Sequence, residues 1–163
     1  LIVLPYFMGE RTPIWDPYAR GVFLGLTTYH TRIHMYKSIL EGIAYAFRHM
    51  IEIAEKTGVH IEQIISVNGG AKSKLWRQIF SDVLGLPISY IATSGGAPMG
   101  DAILAGMGTG YFKDFGVIKN WLGVTERNEP NERVHEIYLR YYKIYRSTYE
   151  HLKHDFRDLR AIG

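Results

Sequence analysis

The sequence predicts an α/β fold built on a parallel sheet, and three consecutive stretches carry this prediction. Residues 61–67 contain the β-branched run Ile64, Ile65 and Val67, which indicates a mostly buried strand. A helix follows, and then a second short strand at residues 88–92. The helix would have one apolar face, formed by Leu75, Trp76, Ile79, Phe80, Val83 and Leu84. A strand, a helix and a strand with tight connections form a right-handed βαβ unit, which makes the two strands parallel and covers the sheet with helices.

Composition limits the class of protein. The 163 residues, 47% hydrophobic and 21% charged, suit one folded domain with a core. The absence of cysteine excludes disulfides and thiolate metal sites. The net charge of +3 is scattered among acidic residues, which is typical of a solvated surface. With no basic leader and no run of about 20 apolar residues, we expect a cytoplasmic protein without membrane or nucleic-acid partners.

A possible strand, residues 1–6, and a long helix precede the βαβ unit. From Thr31 to a stop at Gly58, apolar residues recur in steps of three and four and predict one buried helix face: Ile33, Tyr36, Leu40, Ile43, Phe47, Met50 and Ala54. Gly42 lies inside this helix, where glycine costs about 1 kcal/mol relative to alanine, so we expect a close neighbour there. For the βαβ helix, Ser73 is the predicted N-cap, and Gly85 and Pro87 end it.

Two more helices are predicted after the second strand. Pro98 suits the first turn of a helix whose small residues would allow close approach to another element: Gly100, Ala102, Ala105 and Gly106. Residues 111–130 read as irregular, and a final helix from Asn131 would bury Val134, Tyr138, Tyr141, Tyr145, Thr148 and Leu152. Two clear strands are few for a sheet covered by four helices, since sheets usually have about five, so we expect the chain to be part of a larger unit.

The candidate binding turn lies in residues 66–78, SVNGGAKSKLWRQ. Ligands of α/β sheets bind at the carboxyl ends of strands, where glycine-rich turns present backbone N–H groups to anions. Glycine has no side chain to block a ligand and readily adopts positive φ. Because the turn matches neither the dinucleotide fingerprint nor the P-loop, a purely structural turn is the alternative. A second turn, SGGAPMG, follows the next strand.

Other polar patterns have a chemical and a structural interpretation. His30 and His34, spaced i, i+4, could hold a metal, but without an evident third ligand a role at the helix start is favoured. The run YLRYYKIYRSTYEHLKHDF could stack on single-stranded nucleic acid, although the helical spacing of its tyrosines favours a buried or docking face. No nucleophile motif such as GxSxG occurs, and no paired partner is evident for the candidate carboxylates Asp16, Glu41, Asp82 and Asp101.

Residues 21–41, GVFLGLTTYHTRIHMYKSILE, resemble the second signature of the FGGY family of carbohydrate kinases. The residues that fit its required classes at its spacing are Gly21, Phe23, Gly25, Leu26, His34, Met35, Ser38, Ile39, Leu40 and Glu41. The preceding GERTPIWDPYARG is similar to the segment before that signature, and NGGAKSKLWRQIFSDVLGLPI resembles the family's adenine nucleotide turn and following helix. APMGDAILAGMGTG and the final helix fall where the family has its last two helical segments, so the resemblance covers nearly all of the chain.

This resemblance implies an actin-like ATPase fold, with two ribonuclease H-like α/β lobes and a cleft between them for sugar and ATP. Gly69, Gly70 and Ala71 match the turn that meets the nucleotide, and Lys74 matches a position where relatives often place Asn beside the adenosine. We expect residues 1–163 to be a partial C-terminal, nucleotide-binding domain. The N-terminal sugar-binding lobe, the DxGT-type phosphate turn and the catalytic aspartate have no counterpart, so no catalytic or metal-binding residue is assigned.

For the intact enzyme the resemblance implies in-line transfer of the γ-phosphoryl group of ATP to a sugar or polyol hydroxyl, with Mg²⁺ bridging the phosphates. GERTP and WDPYARG favour a xylulose-like pentulose, with glycerol next. We expect the chain alone to be inactive and, through an unpaired sheet edge, to form homo-oligomers. The alternative function is a non-catalytic module on a kinase-derived fold that binds protein or nucleic acid through its basic, tyrosine-rich end.

Overall fold

The architecture comes from a computed structural model that describes residues 1–67, 69–92, 95–121 and 123–162. Within these residues two small sheets are surrounded by helices. In chain order the elements are β1 (Ile2–Leu4), β2 (Val22–Leu24), α1 (Arg32–Lys56), β3 (Ile64–Val67), a 3₁₀ turn (Gly69–Lys72), α2 (Lys74–Leu84), β4 (Ile88–Ile91), α3 (Gly96–Gly108), α4 (Val117–Trp121), β5 (Glu126–Asn128) and α5 (Glu132–Ile162).

The predicted βαβ unit is confirmed. β3 and β4 pair in parallel, with Ile64 opposite Ile88 and Val67 opposite Ile91, and α2 connects them. β5 pairs with the other side of β4 in the antiparallel direction, which makes the sheet mixed. This third strand lies in the segment predicted to be irregular, and that prediction was wrong. Its residues, Glu126 to Asn128, are all polar and include no β-branched or aromatic residue, so the sequence does not predict a strand. Their extended conformation depends on pairing with β4.

The possible strand at residues 1–6 is confirmed as β1, but it joins a different sheet. β1 pairs antiparallel with β2 and lies against α1 rather than extending the larger sheet. The close neighbour predicted at Gly42 is β1: a Cβ atom built on Gly42 would lie 2.6 Å from the carbonyl oxygen of Val3. Glycine at this position therefore allows α1 to contact the backbone of β1.

The predicted helix boundaries are confirmed by their caps. The Ser73 hydroxyl accepts the Trp76 N–H at 3.3 Å, and Gly85 ends α2 with a φ of 69°. At the start of α1 the Nδ1 atoms of His30 and His34 each accept a backbone N–H, from Thr27 and Thr31 respectively, both at 3.1 Å. These two histidines therefore act at the start of the helix, which is the role that was favoured over a metal site because no third ligand was evident.

The predicted buried face of α1 was largely wrong. Ile33 is 70% exposed, and Tyr36 and Phe47 are also exposed. The residues that α1 buries are Ser38, Leu40, Gly42, Ala44, Tyr45, Ala46, His49 and Ile51. Because α1 has apolar residues on more than one side, periodicity alone cannot select the packed side. The small residues decide it, since they let β1 and α5 approach closely.

Two other packing predictions also failed. β3 is not mostly buried: Ile65 is 58% and Val67 46% exposed, because β3 is the outer strand of the described sheet. Along α3, Gly100 has no atom within 4 Å of a built Cβ, and Ala102 and Ala105 are exposed. Within the described residues, α3 therefore uses its small residues for close approach only at Gly106, where the ring of Phe112 packs.

The tyrosine stripe of α5 forms part of the core, which confirms the buried-face interpretation. Tyr138, Tyr142 and Tyr145 are buried, whereas Tyr141, which was predicted on this face, is exposed. Tyr145 forms a buried hydroxyl–hydroxyl hydrogen bond with Tyr6 of the N-terminal segment. Burial raises the pKa of Tyr6 to about 12, so this ring stays neutral at physiological pH. No helix in the described ranges has an apolar stretch that could cross a membrane.

Candidate nucleotide-binding turn

Three of the four predicted site residues lie together in one 3₁₀ turn at the carboxyl end of β3. Gly69, Gly70 and Ala71 belong to this turn, whereas Lys74 is the exposed first residue of α2. Asn68, which opens the NGG motif, lies outside the described residues. The turn closes when the Ser73 N–H donates to the Gly70 carbonyl at 3.0 Å, and Ser73 then caps α2.

The two glycines have different surroundings. Gly69 has a φ of +37° and no atom within 4 Å of a built Cβ, so its backbone faces open space. At Gly70 a built Cβ would lie 1.8 Å from Cζ3 of Trp76. The missing side chain of Gly70 is therefore occupied by the tryptophan ring. Glycine is required at Gly70 for packing, and Gly69 is the position that leaves room for a ligand.

A buried arginine contacts the turn from the protein interior. No pattern in the sequence predicts this role for the arginine. Arg77 is only 3% exposed; its Nη1 donates to the Ala71 carbonyl at 2.5 Å and its Nε to Asn128 Oδ1 at 3.1 Å. Its Nη2 also forms an ion pair with Glu126, and the guanidinium lies 4.4 Å from the ring centroid of Tyr90. The candidate turn is thus held to β4 and β5 through one charged side chain.

An apolar groove of about 390 Å³ lies next to the turn. Its walls include Phe47 of α1, Ile65 of β3, and Trp76 and Phe80 of α2, together with Gly70. The Trp76 and Phe80 rings meet edge to face, with centroids 5.6 Å apart, and Trp76 Nε1 donates to the Leu40 carbonyl at 3.3 Å. A flat apolar ligand such as a purine ring could pack in this groove while backbone N–H groups of the turn bind its polar part.

The second glycine-rich turn lies at the same edge of the sheet. β4 runs parallel to β3, so the segment that follows β4 emerges beside the first turn. In this segment Gly95, the N-cap of α3, and Gly96, its first residue, have φ values of +62° and +61°, while Thr93 and Ser94 lie outside the described residues.

Three of the four candidate carboxylates have structural partners. Asp16 accepts hydrogen bonds from Tyr149, Glu41 from Tyr138, and Asp82 from Gln78, each at 2.9 Å; Asp101 is exposed on α3. Within the described ranges no three His, Asp or Glu side chains come together as a metal site would require. The open backbone at Gly69 and the apolar groove fit an adenine nucleotide, but the described side chains do not supply ligands for an accompanying Mg²⁺.

Comparison with known proteins identifies the family of the chain. Residues 1–109 match the sequence model of the C-terminal domain of the FGGY family of carbohydrate kinases. The chain is 36% identical over 163 residues to a xylulose kinase of Staphylococcus epidermidis, covering 99% of this chain and 33% of that protein. It is 37% identical over 129 residues to a glycerol kinase of Pseudothermotoga lettingae, covering 78% of this chain and 26% of the relative.

Solved structures confirm the predicted ribonuclease H-like, actin-like ATPase fold. The xylulose kinase from Rhodospirillum rubrum superimposes with a TM-score of 0.84 at 32% identity, over 96% of this chain and 31% of that chain. The ligand-bound xylulose kinase from Lactobacillus acidophilus gives a TM-score of 0.88 at 27% identity, over 98% of this chain and 32% of that chain. The chain thus spans about a third of the length of these relatives, and it belongs to the FGGY family of carbohydrate kinases.

Proposed function

We propose that this chain supplies the adenosine-binding side of an ATP-dependent carbohydrate kinase that phosphorylates a sugar or polyol hydroxyl. The open turn at Gly69, at the carboxyl edge of a parallel pair and beside an apolar groove, is the observation that carries this proposal. A xylulose-like pentulose is the first candidate substrate and glycerol the second, because the relatives are xylulose kinases and glycerol kinases. The proposal places the enzyme in the cytoplasm, where ATP is available.

Each residue of the turn would have a separate role in binding. Backbone N–H groups at Gly69 and Gly70 would donate to the ribose or phosphate oxygens, and Ala71 would keep the turn in place through its bond to Arg77. Lys74, exposed at the start of α2, would bring a positive charge to the same ligand. When bound, ATP with Mg²⁺ supplies the phosphoryl group; the aspartate that accepts the hydroxyl proton would come from residues outside this chain.

Nucleotide binding by the chain itself tests the proposal. A fluorescent ATP analogue should bind weakly and saturably, and Gly69→Gln should weaken binding at least about tenfold because its side chain would occupy the open space. Gly58→Gln is the matched control: Gly58 also has positive φ and nothing within 4 Å of a built Cβ, but it precedes β3. Equal loss in both variants, or no binding by the unmodified chain, would contradict the proposed site.

Catalysis by the isolated chain gives a separate test. We expect no ATP-dependent phosphorylation of xylulose or glycerol by residues 1–163, because no three described His, Asp or Glu side chains form a metal site and the carboxylates of Glu41 and Asp82 are engaged by Tyr138 and Gln78. A coupled assay for ADP release measures this. Binding of RNA in place of ATP would support the alternative of a non-catalytic module, although burial of Tyr138, Tyr142 and Tyr145 removes most of the stacking surface that this alternative needs.

A further inference from the structure

A second depression lies between the N-terminal segment, α1 and α5. It is an open depression with a volume of about 470 Å³, lined by Pro13 and Ile14 of the N-terminal segment, by His49 of α1, and by residues of α5. None of the residues that line it belongs to the groove beside Gly69. A ligand here would therefore be separate from a nucleotide at the turn.

His49 forms part of this site and is an unusual residue to bury. It is 6% exposed, and its Nδ1 is inaccessible to solvent with no hydrogen-bond partner among the residues that the structure describes. A buried polar nitrogen without a partner is unfavourable and usually indicates a missing ligand or water. Burial and the nearby Arg146 lower the pKa of His49 to about 4, so the ring is neutral at pH 7 and keeps one N–H donor.

Positive side chains of α5 surround the opening of the site. Arg146 is engaged by Glu52 at 2.8 Å, and Lys153 by Glu150 at 2.7 Å. Arg157 and His154 also line the site, and within the described ranges Arg157 forms no ion pair. With Glu52 and Glu150 counted, two carboxylates offset two of the three permanent cations, which leaves one positive charge, that of Arg157, at the opening.

We propose that this site, formed by His49, Arg146, Lys153 and Arg157, binds the phosphate group of a small molecule. Arginine and lysine donate charge-assisted hydrogen bonds to phosphate oxygens, and Arg157 has donors that no described carboxylate engages. The ring of His49 lines the site, so its resonance should report a ligand that binds there. The ligand is a small phosphate rather than a nucleic acid, because only Arg157 of the three permanent cations has no described carboxylate partner and the net charge of the whole chain is only +3.

Nuclear magnetic resonance of the seven histidine side chains tests this directly. Inorganic phosphate and phenyl phosphate are titrated at constant ionic strength and pH 7, and the His49 signal is assigned with His49→Gln. We expect a saturable shift of the His49 resonance. Tighter binding of phenyl phosphate would support a phosphomonoester ligand, and equal binding would support free phosphate.

Substitutions on α5 provide the control. Arg157→Gln should weaken phosphate binding about tenfold, since it removes one charge-assisted hydrogen bond. Lys143→Gln removes an exposed charge from the same helix outside the site and should change affinity less than about twofold. The proposal is overturned if the His49 signal does not shift, or if both variants weaken binding equally. Both substituted residues are exposed, so the folded structure should persist in each variant.

Discussion

Nη1 of Arg77 donates a hydrogen bond of 2.5 Å to the backbone carbonyl of Ala71, which joins the turn of Gly69, Gly70 and Ala71 to the protein interior. Replacing this arginine by methionine would leave the Ala71 carbonyl and Asn128 Oδ1 without their buried donor. Arg77→Met should therefore lower the free energy of unfolding by about 2 to 4 kcal/mol, measured by urea denaturation. Arg127→Met removes an exposed arginine and should change it by less than about 0.5 kcal/mol.

Gly70 and Trp76 should be coupled. Gly70→Ala would place a Cβ against the tryptophan ring and should destabilise the chain by about 1 to 3 kcal/mol, with a change in Trp76 fluorescence. The double variant with Trp76→Leu should lose less than the sum of the two single changes. Gly100→Ala, in a helix with no atom near its Cβ, should be neutral or stabilising by up to about 1 kcal/mol. Additive losses at Gly70 and Trp76 would show that the ring does not fill this space.

His49 should make stability depend on pH. Because burial and Arg146 lower its pKa from 6.5 to about 4, the unfolded chain binds a proton in this interval that the folded chain does not. The free energy of unfolding that the neutral His49 contributes is fully present above pH 6.5. It falls by roughly 1 to 3 kcal/mol as the pH decreases towards 4. Lys56 acts in the same direction as Arg146, whereas Glu52 and Glu150 oppose it.

Thermal unfolding between pH 7 and 4, followed by circular dichroism, measures this effect. The His49→Gln variant should show a flatter stability profile over that range than the unmodified chain. His60 is exposed and lies outside the core, so the control variant His60→Gln should leave the slope of stability against pH unchanged. Identical slopes in all three proteins would exclude His49 as the source.

The outer edge of β3 should promote self-association. Ile65 and Val67 are exposed on this strand, and no strand among the described residues pairs with its outer side, which can therefore accept another strand. We expect dimers or larger species in sedimentation velocity at micromolar concentration. Ile65→Lys should shift the population towards monomer, because a charged side chain on an edge strand disfavours pairing. Ile33→Lys, at an exposed isoleucine of α1, is the control; a monodisperse monomer before any substitution would contradict the prediction.

Much of the fold followed from local sequence signals. Ser73 and Gly85 defined α2, and the β-branched run at Ile64 and the apolar residues from Ile88 gave a parallel pair. These predictions succeeded because caps and short strands depend on the chemistry of a few neighbouring residues. Signals of this kind were missing for β5, whose polar sequence is extended only through its pairing with β4.

The turn of the candidate site was predicted from the sequence, but the packing around it was not. The NGG motif and the family signature placed the turn at Gly69, Gly70 and Ala71, and the structure brings these residues together. That Gly70 lacks a side chain to accommodate Trp76, six residues later, could not be inferred from a motif that predicts only a ligand. Arg77 was also missed, since a charged residue beside an apolar helix face is usually solvated.

By itself, the sequence determined the family, the order of the main elements and the position of the turn, because signatures, caps and glycine positions are properties of contiguous residues. Tertiary structure decided which side of α1 is buried, how Arg77 connects the turn to β5, and where His49 lies relative to α5. Those features depend on contacts between residues far apart in the chain, and a side chain's neighbours, not its own periodicity, determine whether it is buried and whether its charge is compensated.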